Sequence, residues 1–189
     1  IKVFNPIIKK IFFITTILFT ILTACNKDEK KILAQIINDL NFKNTTDIKV
    51  FIALDTECPL SQSYTKKINE LSEKYKKEVM FICFFPGKYH TDKGVANFKK
   101  KYDLKIKSFI DRDLTATNIF GANVVPEVFV LNENYKIVYK GLIDNWIGEL
   151  GRKKQYINRE YLIDAIDASL NNDLPLISST EAIGCIIEK

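Results

Sequence analysis

The chain has 189 residues, of which 28 are lysine or arginine and 23 are aspartate or glutamate, so the formal net charge is +5. The first 24 residues contain three lysines and no acid, and the remaining 165 residues therefore carry a net charge of only +2. So small a charge gives no basis for a nucleic-acid partner, which normally requires a strongly basic surface. The length is sufficient for one domain with a sizeable core.

Residues 1–24 are predicted to be a targeting segment. Lysines precede an apolar run over residues 11–22, which is shorter than the roughly 20 residues that a membrane-spanning helix needs. This pattern is typical of a signal peptide. The run ends in the tetrapeptide LTAC, residues 22–25, which resembles the lipobox of bacterial lipoproteins. The resemblance implies cleavage before Cys25, a lipid on its thiol and an anchored location in the bacterial cell envelope, either periplasm-facing or surface-exposed. An ordinary secretory signal is the alternative.

Residues 25–44 are predicted to form a tether and a short helix. The charged stretch over residues 26–31 is too polar to pack, and apolar residues at helical spacing then favour an amphipathic helix over residues 32–40. Residues 45–189 are predicted to form the folded domain. Export would place that domain where disulfides persist, and three cysteines remain beyond Cys25, so at least one thiol has to stay free or pair elsewhere.

The folded domain is predicted to begin with a strand, a helix and a second strand. The apolar run within residues 47–54 indicates a central strand, and a 3.6-residue apolar period after Cys58 indicates a helix over about four turns. Pro59 suits the first helical position. Residues 79–85, VMFICFF, indicate another buried strand. Because a helix separates the two strands, we expect them to be parallel.

The rest of the domain is predicted to contain shorter elements and a hairpin. We expect a helix near residues 94–102, a strand near 108–110 and a short helix near 115–121. Val125-Pro126 then opens a hairpin whose strands are EVFVLN and YKIVYKG, with the second at residues 135–141. A polar stretch over residues 144–159, a final helix over about 159–170 and a tail ending in IGCIIEK complete the chain.

This order of elements resembles an α/β thioredoxin-like fold, with a central mixed sheet flanked by helices. The stretches DTECPLSQSY, VVPEVFVLN, YKGLIDN and the terminal IGC are similar to those of thioredoxin-like redoxins, in particular the peroxiredoxin-like branch of the alkyl hydroperoxide reductase and thiol-specific antioxidant group. The resemblance extends from about residue 45 to the C-terminus.

The resemblance implies an active-site cysteine and a substrate-binding loop. Cys58 matches the first cysteine of the thioredoxin Cys-x-x-Cys pair, and Ser61 replaces the second. Val125-Pro126 matches the family's cis-proline loop, which implies that the Val125 backbone pairs with an extended substrate segment. Thr56 and Phe51 depart from the peroxiredoxin pattern, and Ile52 replaces the buried acid of thioredoxin. Independently of the family, a thiol at a helix N-terminus favours the thiolate.

The remaining cysteines and the single histidine leave alternatives open. Cys185 lies on a tail that can span roughly 50 Å and could pair with Cys58, or both thiols could stay free or bridge to another chain. Cys83 is predicted to be a small buried apolar residue. His90 could join two cysteines in a copper site, although a solvated histidine fits its loop position better. Trp146 could cover the site or anchor its loop on the core.

The sequence therefore predicts a membrane-anchored thiol-disulfide oxidoreductase, with Cys58 and Cys185 as catalytic residues, Val125 and Pro126 as substrate-binding residues and Cys25 as the lipidation site. Its predicted partners are protein thiols or disulfides, or small oxidants, and the prediction includes no cofactor and no bound metal. The alternatives are a non-catalytic binding module or copper carrier on the same fold, and a weak peroxidase.

Overall fold

The computed structural model describes residues 27–42, 46–149, 152–153 and 156–189. The predicted signal peptide and the lipidation site Cys25 lie outside the described residues. The chain divides into two compact units, residues 1–39 and 40–189. Among the described residues, no helix has the length and apolar character that crossing a membrane would require.

The described part of the first unit is one helix, α1, over residues 27–39. It begins earlier than the predicted short helix and includes most of the charged stretch that was predicted to be a tether. Lysine and glutamate are good helix formers, so a polar segment of this composition can extend an amphipathic helix instead of remaining extended.

The second unit alternates strands and helices. In chain order, the strands are β1 (Ile48–Ala53), β2 (Val79–Pro86), β3 (Lys107–Asp111), β4 (Val124–Val125), β5 (Glu127–Leu131), β6 (Ile137–Gly141), β7 (Ile147–Glu149), β8 (Arg152–Lys153) and β9 (Cys185–Ile186). The helices that follow α1 are α2 (Pro59–Lys74), α3 (Asp92–Lys101), α4 (Thr115–Phe120) and α5 (Tyr161–Leu170).

A mixed five-stranded sheet forms the centre of this unit, in the order β3-β2-β1-β5-β6. The predicted parallel pairing of β1 with β2 is confirmed, and β3 continues that parallel part. Strand β5 lies antiparallel to β1 and forms the predicted hairpin with β6. The short pairs β4-β9 and β7-β8 were not predicted.

Both faces of the sheet are covered because alternate strand residues point to opposite sides. On one face, Val50 and Ile52 belong to a core cluster that also contains buried residues of α2, α3 and α5. On the other face, Phe120 of α4 packs against Phe51 and Phe129, with ring centroids 4.9 Å and 4.7 Å apart. The sheet is therefore packed on both faces, and a short loop over residues 54–58 connects the end of β1 to the start of α2.

Candidate active site

Cys58 occupies the N-cap position of α2, directly after the loop that leaves β1. Pro59 takes the first helical turn, as predicted, and no side chain caps this end of the helix. The first-turn amides of α2 are therefore free of a side-chain cap, and they carry the positive end of the helix dipole. Cys58 is only 3% exposed to solvent.

The loop before Cys58 is held by two polar side chains. Ser61 is buried, and its hydroxyl accepts a hydrogen bond from the Asp55 amide at 3.1 Å. The Asp55 carboxylate accepts hydrogen bonds from the amides of Glu57, at 2.6 Å, and Cys58, at 3.2 Å. Ser61, which replaces the second cysteine of the thioredoxin Cys-x-x-Cys pattern, thus has a structural contact that holds the loop before the sulfur.

The Asp55 carboxylate is itself surrounded by polar groups. Tyr89 donates its hydroxyl to the second carboxylate oxygen at 2.8 Å, and His90 Nε2 lies 3.4 Å from the same oxygen, near enough for an ion pair but without hydrogen-bond geometry. Burial would raise the pKa of Asp55, but the contacts with His90, Tyr89 and the Glu57 amide outweigh it and lower the pKa to about 2. The group next to the Cys58 amide is therefore a carboxylate at neutral pH.

The loop before β5 reaches the sulfur from the opposite side. The Val125-Pro126 peptide bond is cis, as the resemblance implied. The carbonyl oxygen of Val125 lies 3.3 Å from Cys58 Sγ. The buried carboxylate of Glu127 accepts a hydrogen bond from the Asn123 amide at 3.1 Å, and this contact closes the loop. Burial raises the pKa of Glu127 above its ordinary value.

The C-terminal tail ends at the same place. Cys185 forms a disulfide with Cys58, with Cα atoms 6.2 Å apart. In β9, Cys185 pairs antiparallel with Val125 of β4, and the next residues pair Ile186 with Val124. The Ile187 amide continues the contact by donating to the Asn123 carbonyl at 2.9 Å. Of the pairings that the sequence left open, the structure thus contains the intramolecular one.

The family model described as Redoxin matches residues 25–149 of this chain. The chain belongs to the Redoxin family. This redoxin resembles the hypothetical protein SMc02350 of Sinorhizobium meliloti 1021, with 18% identity, 75% of this chain and 79% of that chain covered, and a TM-score of 0.66. An uncharacterized conserved protein of Geobacillus kaustophilus matches with 17% identity, coverages of 76% and 77%, and a TM-score of 0.65.

A candidate thioredoxin of Neisseria meningitidis has 18% identity to this redoxin, coverages of 68% and 77%, and a TM-score of 0.53. At these identities the likeness concerns the fold, which is the predicted thioredoxin-like one with a mixed sheet flanked by helices. No protein among the curated sequences matches this redoxin significantly.

A shallow cavity of about 310 Å³ opens onto the disulfide. Both cysteines line it, and the charged side chains around them, Asp55, Glu57 and Glu188, are all acidic. Tyr89 and Ile186 complete the lining. The surface around the disulfide is therefore negatively charged, which disfavours anionic partners at low ionic strength.

His90 is not the solvated histidine that its loop position suggested, since the residue is only 3% exposed. Its ring packs against Tyr89, with centroids 4.3 Å apart, and edge-on against Phe85. Within the part of the chain that the structure describes, no group of three or more histidine, cysteine or acidic side chains could hold a metal ion. The copper alternative therefore has no ligand set among these residues.

Cys83 and Trp146 lie away from the disulfide. Cys83 is free and fully buried in β2, and burial raises its pKa to about 12, so it is the inert apolar thiol that was predicted. Trp146 donates its amide to the buried Asp144 carboxylate at 2.8 Å and packs edge-on against Tyr64 of α2. Of the two roles considered for Trp146, these contacts match the loop anchor.

Sequence reasoning missed three residues that shape this site. The sequence does not single out Asp55, because its contacts with the loop amides depend on a turn that apolar periodicity does not reveal. Glu127 looked like an ordinary start of a strand. Gly184 drew attention only as part of IGC, although the chain passes so close to Val125 there that a side chain would collide.

Proposed function

We propose that this redoxin is a thiol-disulfide oxidoreductase in which Cys58 is the nucleophile and Cys185 is the resolving cysteine. The observation that carries the proposal is the Cys58–Cys185 disulfide at the uncapped N-terminus of α2, against the Val125-Pro126 loop. A helix N-terminus favours the thiolate, which is the attacking species in disulfide exchange.

The proposed reaction balances as two exchanges. The Cys58 thiolate attacks one sulfur of a partner disulfide, a mixed disulfide forms, and the partner's other sulfur leaves as a thiolate. The Cys185 thiolate then attacks Cys58 Sγ, which forms the intramolecular disulfide and releases the partner as a dithiol. An external dithiol, or two thiols, reduces the Cys58–Cys185 disulfide by the same two exchanges and leaves as a disulfide.

The proposal places this oxidoreductase in the bacterial cell envelope, held to a membrane by a lipid on Cys25. Its support is the sequence of the first 25 residues, with an apolar run followed by LTAC. An oxidising compartment agrees with a disulfide as the resting state. The partners proposed for this location are protein thiols or disulfides, with small oxidants as alternative electron acceptors.

A peroxidase remains the weaker candidate. Peroxide reduction requires donor groups that polarise the peroxide at the thiolate, whereas the group described next to Cys58 Sγ, besides the Cys185 sulfur, is the Val125 carbonyl oxygen, an acceptor. An acceptor oxygen repels a developing anion instead of stabilising it, and the Asp55 carboxylate, which accepts from the Cys58 amide, adds a negative charge to the same loop. We therefore expect disulfide exchange to exceed peroxide turnover.

The proposal is tested with the mature protein, residues 25–189, and three variants, by following reduction of a protein disulfide at the expense of a small dithiol. We expect Cys58→Ala to abolish the activity and Cys185→Ala to stall as a mixed disulfide on Cys58. Cys83→Ala is the matched control, because its thiol is buried and unreactive, and it keeps the wild-type rate at a temperature where it is folded. Activity that survives in Cys58→Ala would refute the proposal.

A further inference from the structure

The C-terminal tail pairs with the backbone of Val125, which is where the proposed function requires the substrate to bind. Val125 was predicted to pair with an extended substrate segment, and here it pairs with Cys185 of the same chain. The sulfur of the paired residue is bonded to Cys58. A mixed disulfide with a partner would require the same two contacts, one through the backbone and one through sulfur.

From this we infer that the tail is a template for the partner segment, and that the site accepts cysteines in the local pattern glycine, cysteine, any residue, aliphatic residue. This inference rests on the proposed function and specifies its substrate class, a polypeptide that presents such a segment in extended form. The pattern follows from three neighbours of the tail cysteine.

The residue before the cysteine has no room for a side chain. A Cβ at Gly184 would lie 2.6 Å from the carbonyl carbon of Val125 and closer still to its oxygen. Since the obstacle is backbone in a paired strand, it cannot rotate away as a side chain could. Any partner cysteine that pairs with Val125 in this register therefore requires glycine at the preceding position.

The two residues after the cysteine differ in burial. Ile186 is 83% exposed, so the position directly after the cysteine imposes no requirement on its side chain. Ile187 is 6% exposed, and its amide donates to the Asn123 carbonyl at 2.9 Å. Because successive side chains of a strand point to opposite faces, the second position points inward and favours an aliphatic side chain.

The same geometry makes the tail and the partner segment competitors. While the disulfide holds β9 on β4, no second strand can pair with Val125. The partner segment can dock only when Cys58 is reduced and the tail has moved away from the edge. The resolving step then returns the tail to the edge and displaces the reduced partner.

The experiment uses the mature Cys185→Ser protein, in which Cys58 is free, and peptides that carry their cysteine as a disulfide with 2-nitro-5-thiobenzoate. Attack by Cys58 on the peptide sulfur releases the coloured arylthiolate, so the rate is read by absorbance and the product is verified by mass. The parent peptide is AIGCIIE, the sequence of residues 182–188. Three others carry alanine for glycine, serine at the first position after cysteine, or serine at the second.

We expect the glycine-to-alanine peptide to react at least tenfold more slowly than the parent, and the peptide with serine at the second position also to be slowed. Serine at the first position is the matched control and leaves the rate unchanged. In urea, where the fold is lost, all four rates converge. A second protein, Gly184→Ala/Cys185→Ser, cannot seat its own tail, and its reaction with the parent peptide becomes faster.

Equal rates for the parent and alanine peptides with folded protein would overturn the inference. If those equal rates still exceed the urea rate, the proposed oxidoreductase stands and only its sequence preference fails. If no peptide reacts faster than in urea, the docking edge itself is refuted, and the protein-disulfide assay with Cys58→Ala then decides the proposed function separately.

Discussion

At the scale of single residues, the chemistry of Cys58 is set by two opposing influences. The uncapped amides at the start of α2 favour the thiolate. The Asp55 carboxylate, whose oxygen lies 3.2 Å from the Cys58 amide nitrogen, opposes it because two negative charges repel. The reactivity of the thiol thus depends on a neighbour that a search for cysteine motifs does not identify.

The first prediction concerns that neighbour. Asp55→Asn keeps an oxygen that accepts from the loop amides but removes the negative charge. We expect the pKa of Cys58 in the reduced protein to fall by about one unit, or about 1.4 kcal/mol, which is the effect of a unit charge about 6 Å away at an effective dielectric constant of about 40. The pH dependence of alkylation by iodoacetamide measures it. Glu57→Gln, at an exposed position, is the control, and an unchanged pKa in Asp55→Asn would contradict the account.

The second prediction follows from the same carboxylate. Its folded pKa of about 2 lies below the ordinary value of 3.8. The ionised form therefore stabilises the folded protein above pH 4, and this contribution, about 2 kcal/mol, is lost as the pH falls toward 2. Urea unfolding of the oxidised protein at a series of pH values measures it. Wild type should lose its advantage over Asp55→Asn across that interval, whereas a difference independent of pH would contradict the assignment.

Residue-scale features were predictable where a motif carried them. The position of Cys58 and Pro59 at a helix start follows from a local pattern, and the cis bond before Pro126 was implied by the resemblance to the thioredoxin-like redoxins. The contacts of Asp55 and the tight passage of Gly184 past Val125 do not follow from such patterns, because they depend on where distant backbone segments come together. Sequence position alone contains no measure of that distance.

At the scale of elements, the tail is fastened at two places. Besides β9, the Thr180 amide donates to the Lys140 carbonyl at 3.0 Å, and the Thr180 hydroxyl accepts from the Leu142 amide at 2.8 Å. Gly141 allows this approach, since its φ is +133° and a Cβ there would collide with Thr180. The tail crosses the end of β6 before it reaches the active site.

Gly141→Ala provides the third prediction. The substitution combines a backbone conformation unfavourable for alanine with a collision against Thr180, so we expect a destabilisation of about 2 kcal/mol or more and slower closure of the Cys58–Cys185 disulfide. Gly121→Ala is the matched control, because Gly121 also has a positive φ, +63°, but open space around it. Denaturant unfolding and rapid alkylation during oxidation measure the two effects. Equal closure rates in the two variants would show that this fastening does not position Cys185.

The elements show where sequence patterns succeed. The strands β1, β2 and β5 follow from continuous apolar runs, because every residue of these strands is buried, and the helix α2 follows from apolar residues at helical spacing. Strands of two or three residues, such as β4, β7, β8 and β9, are too short to show a period. The sequence predicted that the tail is long enough for Cys185 to pair with Cys58. It did not predict that the tail also pairs with β4, because that contact depends on where the two backbone segments meet in the fold.

At the scale of the whole molecule, the disulfide joins residues 127 positions apart. It links the start of the first helix of the second unit to the end of the chain and so constrains almost the whole domain. In the chain-entropy description, a loop of this length lowers the entropy of the unfolded chain enough to contribute about 5 kcal/mol.

The fourth prediction is that the oxidised protein is more stable than the reduced protein by about that amount. Urea unfolding of the mature protein with and without a reductant measures it, and Cys185→Ser under both conditions provides the control, since it cannot form the bridge. Stabilities that do not differ between oxidised and reduced wild type would contradict a native Cys58–Cys185 disulfide.

The most direct test of the central claim is peptide mapping without reduction, after the reduced mature protein has completed one turnover with a protein disulfide and free thiols have been alkylated. We expect Cys58 to be linked to Cys185, and Cys83, exposed by denaturation, to carry the alkyl group. Recovery of Cys58 in alkylated form, or of Cys185 unlinked after turnover, would contradict the account.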